Sequence, residues 1–187
     1  YPLVTGVQTC ALPIFIGIDL GTSGVRAAAV DVQGRLLGLG SAPLPPTLAL
    51  DARREQHPDD WWAAIPLALR ELGRSVDLSL TRALAVDGTS GTILPVDASN
   101  QPLAPARMYD DADTGEHAAR IKVLAPRESA AHGASSPAAR ARDWVGLPGL
   151  HRIIHQADWV NRQLGATEYV TDENNALKMG YDPVARA

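Results

Sequence analysis

The stretch that decides the fold runs from Phe15 to Val32 and is FIGIDLGTSGVRAAAVDV. Its first six residues form an apolar run short enough for a buried strand, and residues 25–32 continue as a second strand. The turn between them, GTSG at residues 21–24, contains two glycines and two hydroxyl side chains. Because glycine lets other groups approach the backbone closely, this composition predicts a tight hairpin.

The hairpin also contains a candidate phosphate site. Successive N–H groups in such a turn can form a concave site for an anion. Asp19 lies in the apolar strand just before the turn, where a carboxylate is costly unless a metal ion, a cluster of donors or water compensates it. We therefore predict a phosphate-contacting hairpin with a carboxylate beside it. The trailing Gly-Lys-Ser/Thr of a Walker A loop is absent, and an ordinary glycine-rich hairpin is the alternative that this motif alone leaves open.

The composition indicates a soluble globular chain. Its 187 residues, 45% hydrophobic and 20% charged, are enough for one domain with a substantial core. The net charge of −4 argues against nucleic acid or an anionic membrane as a partner. No apolar run approaches the length of a membrane span. A single cysteine, Cys10, excludes an intrachain disulfide framework and favours a cytoplasmic setting, while the oligomeric state stays open.

The beginning of the chain differs in character from the rest. Residues 4–14, VTGVQTCALPI, match one reading frame of a common short-read sequencing adapter. We interpret residues 1–14 as a non-native leader, in which Cys10 has no function. A short secretory signal is the alternative, but no basic segment precedes the apolar stretch, and polar residues and a proline interrupt it.

The remaining sequence predicts alternating strands and helices. Residues 36–42 form a third strand, which completes an antiparallel meander. Beyond it we predict a surface loop at 47–57, helices at 58–73, 113–125 and 150–164, strands at 82–86, 93–96 and 106–109, a mobile loop at 126–137, and a short helix at 138–144. We expect Pro66 to kink or shorten the first helix. The apolar strand at 82–86 suits a central parallel position.

A second candidate site follows the strand at 82–86. The loop DGTSGT at residues 87–92 is small and polar, and ligands of α/β folds bind beyond the carboxyl ends of such strands. Its hydroxyls and backbone donors can bind a polyol, although a plain connecting turn is the alternative. Asp110 and Asp111 form an acidic pair that either bonds sugar hydroxyls or caps a helix.

Two further motifs are assigned structural roles. We favour Asp172 and Asn175 as caps of local backbone over residues that order a pocket. We interpret His155 as a packed, hydrogen-bonded helix histidine.

Several motifs, in order along the chain, resemble the FGGY carbohydrate kinases of the actin-like ATPase superfamily. IGIDLGTSGVRAAAVD resembles the first phosphate hairpin of these proteins. Further matching stretches are Arg54–Trp62, Val86–Thr92, Met108–Asp111, His155–Trp159 and Thr171–Asp182. The D-G-T-S-G-T and H-Q-A-D-W forms resemble the D-ribulokinase, or xylulose-kinase-like, branch. Asp110 stands where the family commonly has asparagine, which weakens any inference about the sugar.

The resemblance implies an α/β fold of the ribonuclease-H-like, actin-like ATPase type. Its mixed sheet opens with an antiparallel three-strand meander and is flanked by helices. Residues 15–187 then form the N-terminal part of the first kinase domain, which is incomplete, and the second, adenine-binding domain is absent.

The implied activity is ATP-dependent phosphorylation of a ketose, most simply D-ribulose or D-xylulose, by the full-length protein. Such chemistry relies on positioning and charge neutralisation. The resemblance makes Asp19 the catalytic carboxylate that orients Mg²⁺, through water because Mg²⁺ keeps part of its hydration shell. It assigns ATP phosphate contacts to Gly21, Thr22, Ser23, Gly24 and Arg26, and ketose contacts to Gly88, Thr89, Ser90, Gly91 and Asp111. Arg26 either adds positive charge there or, at its strand position, points to solvent.

One catalytic group has no match in this sequence. In these kinases the general base is an Asp from a later glycine-rich segment, so we expect the 187-residue chain alone to be inactive. Two other classes stay open: an actin- or chaperone-type ATPase without sugar kinase activity, and a non-catalytic sugar-binding module. ATP turnover insensitive to every ketose favours the first, and a complete gene lacking the downstream Asp favours the second.

The interpretation of residues 1–14 predicts the outcome of independent sequencing. Genomic reads that continue upstream through the Phe15 codon should lack the eleven residues VTGVQTCALPI. A continuous native coding sequence that contains them would refute the leader hypothesis.

Overall fold

The computed structural model describes residues 12–186, so the predictions for Cys10 and for residues 1–11 lie outside the described part of the chain. The strands are β1 (Ile14–Leu20), β2 (Gly24–Val30), β3 (Leu36–Pro43), β4 (Leu48–Leu50), β5 (Arg53–Gln56), β6 (Thr81–Gly88), β7 (Ile93–Val96), β8 (Ala106–Arg107) and β9 (Arg152–His155). The helices are α1 (Pro58–Leu72), α2 (His117–Leu124), α3 (Pro137–Ala141), α4 (Gln156–Gln163) and α5 (Glu173–Lys178).

The first sheet has the strand order β3-β2-β1-β6. β1, β2 and β3 form an antiparallel meander, and β6 pairs parallel to β1. The side chains of β1 alternate, so that Ile14, Ile16, Ile18 and Leu20 are buried in the core while Gly17 and Asp19 face the other side. The mixed sheet and its opening meander confirm the predicted architecture.

The first helix covers the core face of this sheet. Trp61, Ile65 and Leu72 of α1 are almost completely buried, as the apolar periodicity predicts. The helix continues past Pro66 to Leu72, so the expected shortening is wrong. Pro66 lies on the exposed side of α1, where water can replace the intrahelical donor that proline lacks.

The second sheet has the order β4-β5-β8-β7-β9, with antiparallel pairing throughout the described strands. The predicted surface loop at 47–57 is therefore wrong, because it contains the β4–β5 hairpin. β5 has the polar sequence RREQ, which local propensity does not favour as a strand. Its pairing with β8 and the burial of Gln56 at its end stabilise it.

The predicted helix at 150–164 is in fact a strand followed by a helix, β9 and α4. A short apolar run fits both periodicities, and the β-branched Ile153 and Ile154 pair with β7 instead. The chain changes direction at His155, whose N–H donates to the Asp158 carboxylate at 3.2 Å and so caps α4.

Three smaller differences concern element ends and positions. α2 begins at His117, four residues later than the predicted start at 113, and β8 has only two residues. Within residues 12–186, β6 is an edge strand of the first sheet and not a central one. The short helix predicted at 138–144 is confirmed as α3 followed by a 3-10 turn.

Within the described residues, no helix is both long and apolar enough to traverse a bilayer.

The close approach of α1 to β3 predicts the effect of a single methyl group. A Cβ on Gly40 would collide with the Ala68 carbonyl and the Leu72 amide of α1. We expect Gly40→Ala to lower the free energy of unfolding by about 2 kcal/mol, because overpacking forces backbone shifts. Chemical denaturation measures this change. Gly17→Ala is the matched control, since no atom lies within 4 Å of its new Cβ, and equal stabilities for the two variants would contradict the packing argument.

Candidate active site

The two predicted ligand loops leave the same edge of the first sheet. In the parallel register of β1 and β6, Asp19 is opposite Asp87 and Leu20 is opposite Gly88. The turn at 21–24 and the loop at 88–91 are consequently neighbours. The Thr89 hydroxyl donates to the Leu20 carbonyl at 3.4 Å, which joins the two directly.

Asp19 lines an open groove of about 450 Å³ between β1, β2 and β6. Arg26 is its partner in the β1–β2 register, and the guanidinium lies 2.6 Å from the Asp19 carboxylate. Both side chains are well exposed, 48% for Asp19 and 71% for Arg26, so the pair contributes little to stability. Asp87 lines the same groove. The carboxylate therefore faces an accessible, charged groove.

The turn at 21–24 presents free donors. The Gly21 N–H donates to the Gly24 carbonyl at 3.0 Å, which closes the turn. Within residues 12–186 the N–H groups of Thr22 and Ser23 donate no hydrogen bond, and Ser23 is exposed. Gly24 is needed for space, because a Cβ there would lie 2.8 Å from the Ala42 carbonyl of β3.

A buried glutamine that the sequence analysis did not identify positions this turn. Gln56 Nε2 donates to the Thr22 carbonyl at 2.7 Å, and Gln56 Oε1 accepts from Trp61 Nε1 at 2.9 Å. Gln56 is part of the matched stretch Arg54–Trp62, but only the three-dimensional pairing of β5 reveals its contact with the turn.

Side chains from the C-terminal half of the chain bind the backbone of the 88–91 loop. Two accept from its N–H groups and two donate to its carbonyls. The bonds are Thr89 N–H to Gln156 Oε1 at 2.8 Å, Gly91 N–H to Asn175 Oδ1 at 3.2 Å, Lys178 Nζ to the Ser90 carbonyl at 3.2 Å, and Arg140 Nη2 to the Gly91 carbonyl at 2.7 Å. None of these four residues was predicted as a site residue.

Asn175 takes part both in the cap of α5 and in ordering the loop at 88–91. Its N–H donates to the Asp172 carboxylate at 2.9 Å, which confirms the predicted cap of α5. Its side-chain oxygen accepts from the N–H of Gly91, so the turn also orders the loop.

A small polar cavity adjoins the loop. Its volume is roughly 260 Å³, against about 450 Å³ for the groove beside Asp19. Its lining includes Ser90, Gly91, Tyr109, Arg140 and Lys178. The Ser90 hydroxyl is buried and has no hydrogen-bond partner within the described part of the chain. A cavity with an unused hydroxyl and an ammonium group suits a polyhydroxylated ligand.

Asp111 has a different environment from the one predicted. It is fully buried, and its oxygens accept from Arg107 Nε at 2.5 Å, Arg107 Nη2 at 2.7 Å, and the N–H groups of Arg54 and Asp113 at 2.9 Å. Burial raises the pKa of Asp111, but the bonds from Arg107 and Arg54 outweigh it and hold the pKa below its usual value. This geometry does not support the predicted sugar contact, because the Asp111 oxygens already accept from Arg107 and from two backbone N–H groups.

His155 and Asp158 lie behind the loop at the junction of β9 and α4. Burial lowers the pKa of His155 to about 4, so the ring is neutral at pH 7. Burial raises the pKa of Asp158 to about 6. His155 is packed as predicted, but it ends a strand, and its Nδ1 has no partner among residues 12–186.

The two carboxylates of the groove suit Mg²⁺ better than a metal ion whose ligands are all protein side chains. Among residues 12–186, no group of three or more His, Cys, Asp or Glu side chains can hold a metal ion. Asp19 and Asp87 line one groove beside the free amides of the turn. One or two carboxylates with water and phosphate oxygens is the coordination that Mg²⁺ adopts at nucleotide sites.

The mixed sheet, its opening meander and the paired loops at its edge define a domain of the actin-like ATPase fold. Solved structures agree: "xylulose kinase from Rhodospirillum rubrum" has a TM-score of 0.76 at 22% identity, covering 91% of this chain and 38% of its own. "Plasmodium falciparum glycerol kinase with ADP" has a TM-score of 0.79 at 13% identity, covering 94% and 39%.

The sequence comparisons give the family. The description "FGGY family of carbohydrate kinases, N-terminal domain" matches residues 14–132. Xylulose kinase of Klebsiella pneumoniae is 32% identical over 117 residues, 62% of this chain and 24% of that protein. The chain belongs to the FGGY family of carbohydrate kinases, and it spans about a quarter of the length of the curated relatives it matches.

The buried position of Asp111 predicts a large effect on stability. Asp111→Asn leaves the buried Arg107 guanidinium without its bidentate carboxylate, so we expect the free energy of unfolding to fall by about 3 kcal/mol. Asp110, the exposed neighbour, provides the control: Asp110→Asn should change the free energy of unfolding by less than about 0.5 kcal/mol. Urea denaturation measures both. An Asp111→Asn protein of unchanged stability that binds ketose weakly would instead establish the sugar contact.

Proposed function

We propose that this chain is the N-terminal part of an ATP-dependent ketose kinase. The observation that supports this most strongly is the register of β1 and β6. It places the Asp19 carboxylate and the free amides of the turn next to the polar loop at 88–91. A phosphate donor and a hydroxyl acceptor bound at these two loops would be neighbours, as phosphoryl transfer requires.

The nucleotide side of the proposal uses the groove and the turn. The N–H groups of Thr22 and Ser23 would donate to terminal phosphate oxygens, and Gly21 and Gly24 keep the turn compact enough for that approach. Arg26 adds positive charge beside Asp19. Mg²⁺ held through water by Asp19 would supply further neutralisation of phosphate charge.

The ketose side uses the loop and the adjoining cavity. Ser90, with the backbone of Gly88, Thr89 and Gly91, would bind sugar hydroxyls, and the neighbouring Lys178 would donate to the same ligand. The names of the relatives favour D-xylulose as the substrate, whereas the D-G-T-S-G-T and H-Q-A-D-W forms favour D-ribulose. Both are ketopentoses, small enough for the cavity.

The domain organisation is part of the same proposal. Residues 1–14 would be a non-native leader, and residues 15–187 the beginning of the first kinase domain. The adenine-binding domain and the aspartate that accepts the hydroxyl proton would be encoded beyond these residues, so the 187-residue chain by itself would show no substantial kinase activity.

The proposal predicts the behaviour of the product of the complete open reading frame. It should consume ATP only with a ketose, and a panel including D-xylulose and D-ribulose identifies which one. Asp19→Asn should lower kcat about 100-fold or more, because charge stabilisation in the transition state is lost. Asp59→Asn, which alters an exposed carboxylate on α1, is the matched control and should leave kcat unchanged.

The same assay separates the alternatives. ATP turnover that no ketose affects would identify an actin- or chaperone-type ATPase. Ketose binding without turnover would identify a binding module. An Asp19→Asn enzyme with undiminished kcat would contradict the role of the groove.

A further inference from the structure

Each of the two ligand loops is bound by one buried glutamine. Gln56, which is 6% exposed, donates to the Thr22 carbonyl of the turn at 21–24, the proposed phosphate turn. Gln156, which is 1% exposed, accepts from the Thr89 N–H at 2.8 Å in the loop at 88–91, the proposed ketose loop. The two side chains lie in different parts of the chain and bind different loops.

Gln156 fixes both ends of the ketose loop. Its side chain binds Thr89, while its own N–H donates to the Thr92 carbonyl at 3.1 Å. The next residue, Ala157, packs at the base of the loop, where a Cβ on Gly88 would lie 3.2 Å from its backbone nitrogen. The first turn of α4 is thus fitted closely against the loop.

The rest of the H-Q-A-D-W motif holds Gln156 in place. His155 pairs with Ile93 in the β7–β9 ladder, and Asp158 accepts from the His155 N–H. Trp159 stacks edge-on against Trp61 with ring centroids 6.1 Å apart, and its Nε1 donates to the Asn100 carbonyl at 3.1 Å. These contacts leave the Gln156 side chain little freedom to move.

The unused half of the Gln156 amide indicates what the side chain does. Its Nε2 is buried and has no hydrogen-bond partner within residues 12–186. A buried unpaired donor is costly, so Gln156 contributes here as an acceptor for Thr89. Thr89 in turn precedes Ser90, which lines the polar cavity and whose hydroxyl is buried without a partner in the described part of the chain.

We propose that Gln156 is the positioning residue of the ketose site, acting through Thr89 to place the Ser90 hydroxyl. This inference rests on the proposed ketose kinase function and extends it to a residue that touches neither substrate. Gln56 is the corresponding residue of the phosphate turn and provides a matched comparison.

Steady-state kinetics on the product of the complete open reading frame tests the proposal. Gln156→Met keeps the side-chain length but removes the acceptor. We expect it to raise the KM for ketose about tenfold, the value of one hydrogen bond, with the KM for ATP within about twofold. Gln56→Met should instead raise the KM for ATP about tenfold, with the KM for ketose within about twofold. Gln156→Glu should restore the ketose KM, because either protonation state offers an acceptor oxygen and the lost N–H groups had no partner.

Hydrogen exchange supplies a second measurement that needs no substrate. The Thr89 amide should exchange faster in Gln156→Met than in the unsubstituted protein or in Gln56→Met, while amides of β1 remain equally protected in all three. If Gln156→Met does not fold, Gln156→Asn, which withdraws the acceptor by one carbon, takes its place.

The outcomes of the two measurements distinguish a wrong proposed function from a wrong positioning role. If the unsubstituted protein has no ketose-dependent activity, the proposed function is wrong, and with it the kinetic role of Gln156. If that activity exists but Gln156→Met leaves Thr89 exchange and the ketose KM unchanged, or raises both KM values equally, the positioning role is overturned.

Discussion

The parallel pairing of β1 with β6 is the constraint on which the rest of the site depends. It sets Asp19 against Asp87 and Leu20 against Gly88, so that two loops far apart in sequence begin side by side. A shift of one residue would turn the alternating side chains of β1 over and place the Asp19 carboxylate in the core. The buried Ile16, Ile18 and Leu20 on the opposite face oppose such a shift.

Each loop is then positioned by a different part of the chain. The turn at 21–24 is bound by Gln56, which Trp61 of α1 orients. The loop at 88–91 is bound by side chains between residues 140 and 178. The loop at 88–91 therefore depends on contacts from the C-terminal half of the chain, while the turn at 21–24 depends on its own hairpin and on β5.

The sequence predicted the parts of this arrangement that local patterns determine. The strand–turn–strand at 15–32 and the apolar face of α1 follow from periodicity. The β5 strand and the division of residues 150–164 do not, because pairing with β8 and β7 decides them. The burial of Asp111 was not predicted, because its position in the sequence carries no signal for its hydrogen bonds with Arg107. Gln56 and Gln156 carry no local signal that separates a buried amide from an exposed one.

A crystal structure of the product of the complete open reading frame, with a ketose and a non-hydrolysable ATP analogue, tests the central claim most directly. We expect the terminal phosphate to lie against the amides of Thr22 and Ser23, with the ketose beside Ser90 and its reacting hydroxyl toward that phosphate. A nucleotide bound away from the turn, or a ketose away from the 88–91 loop, would contradict it.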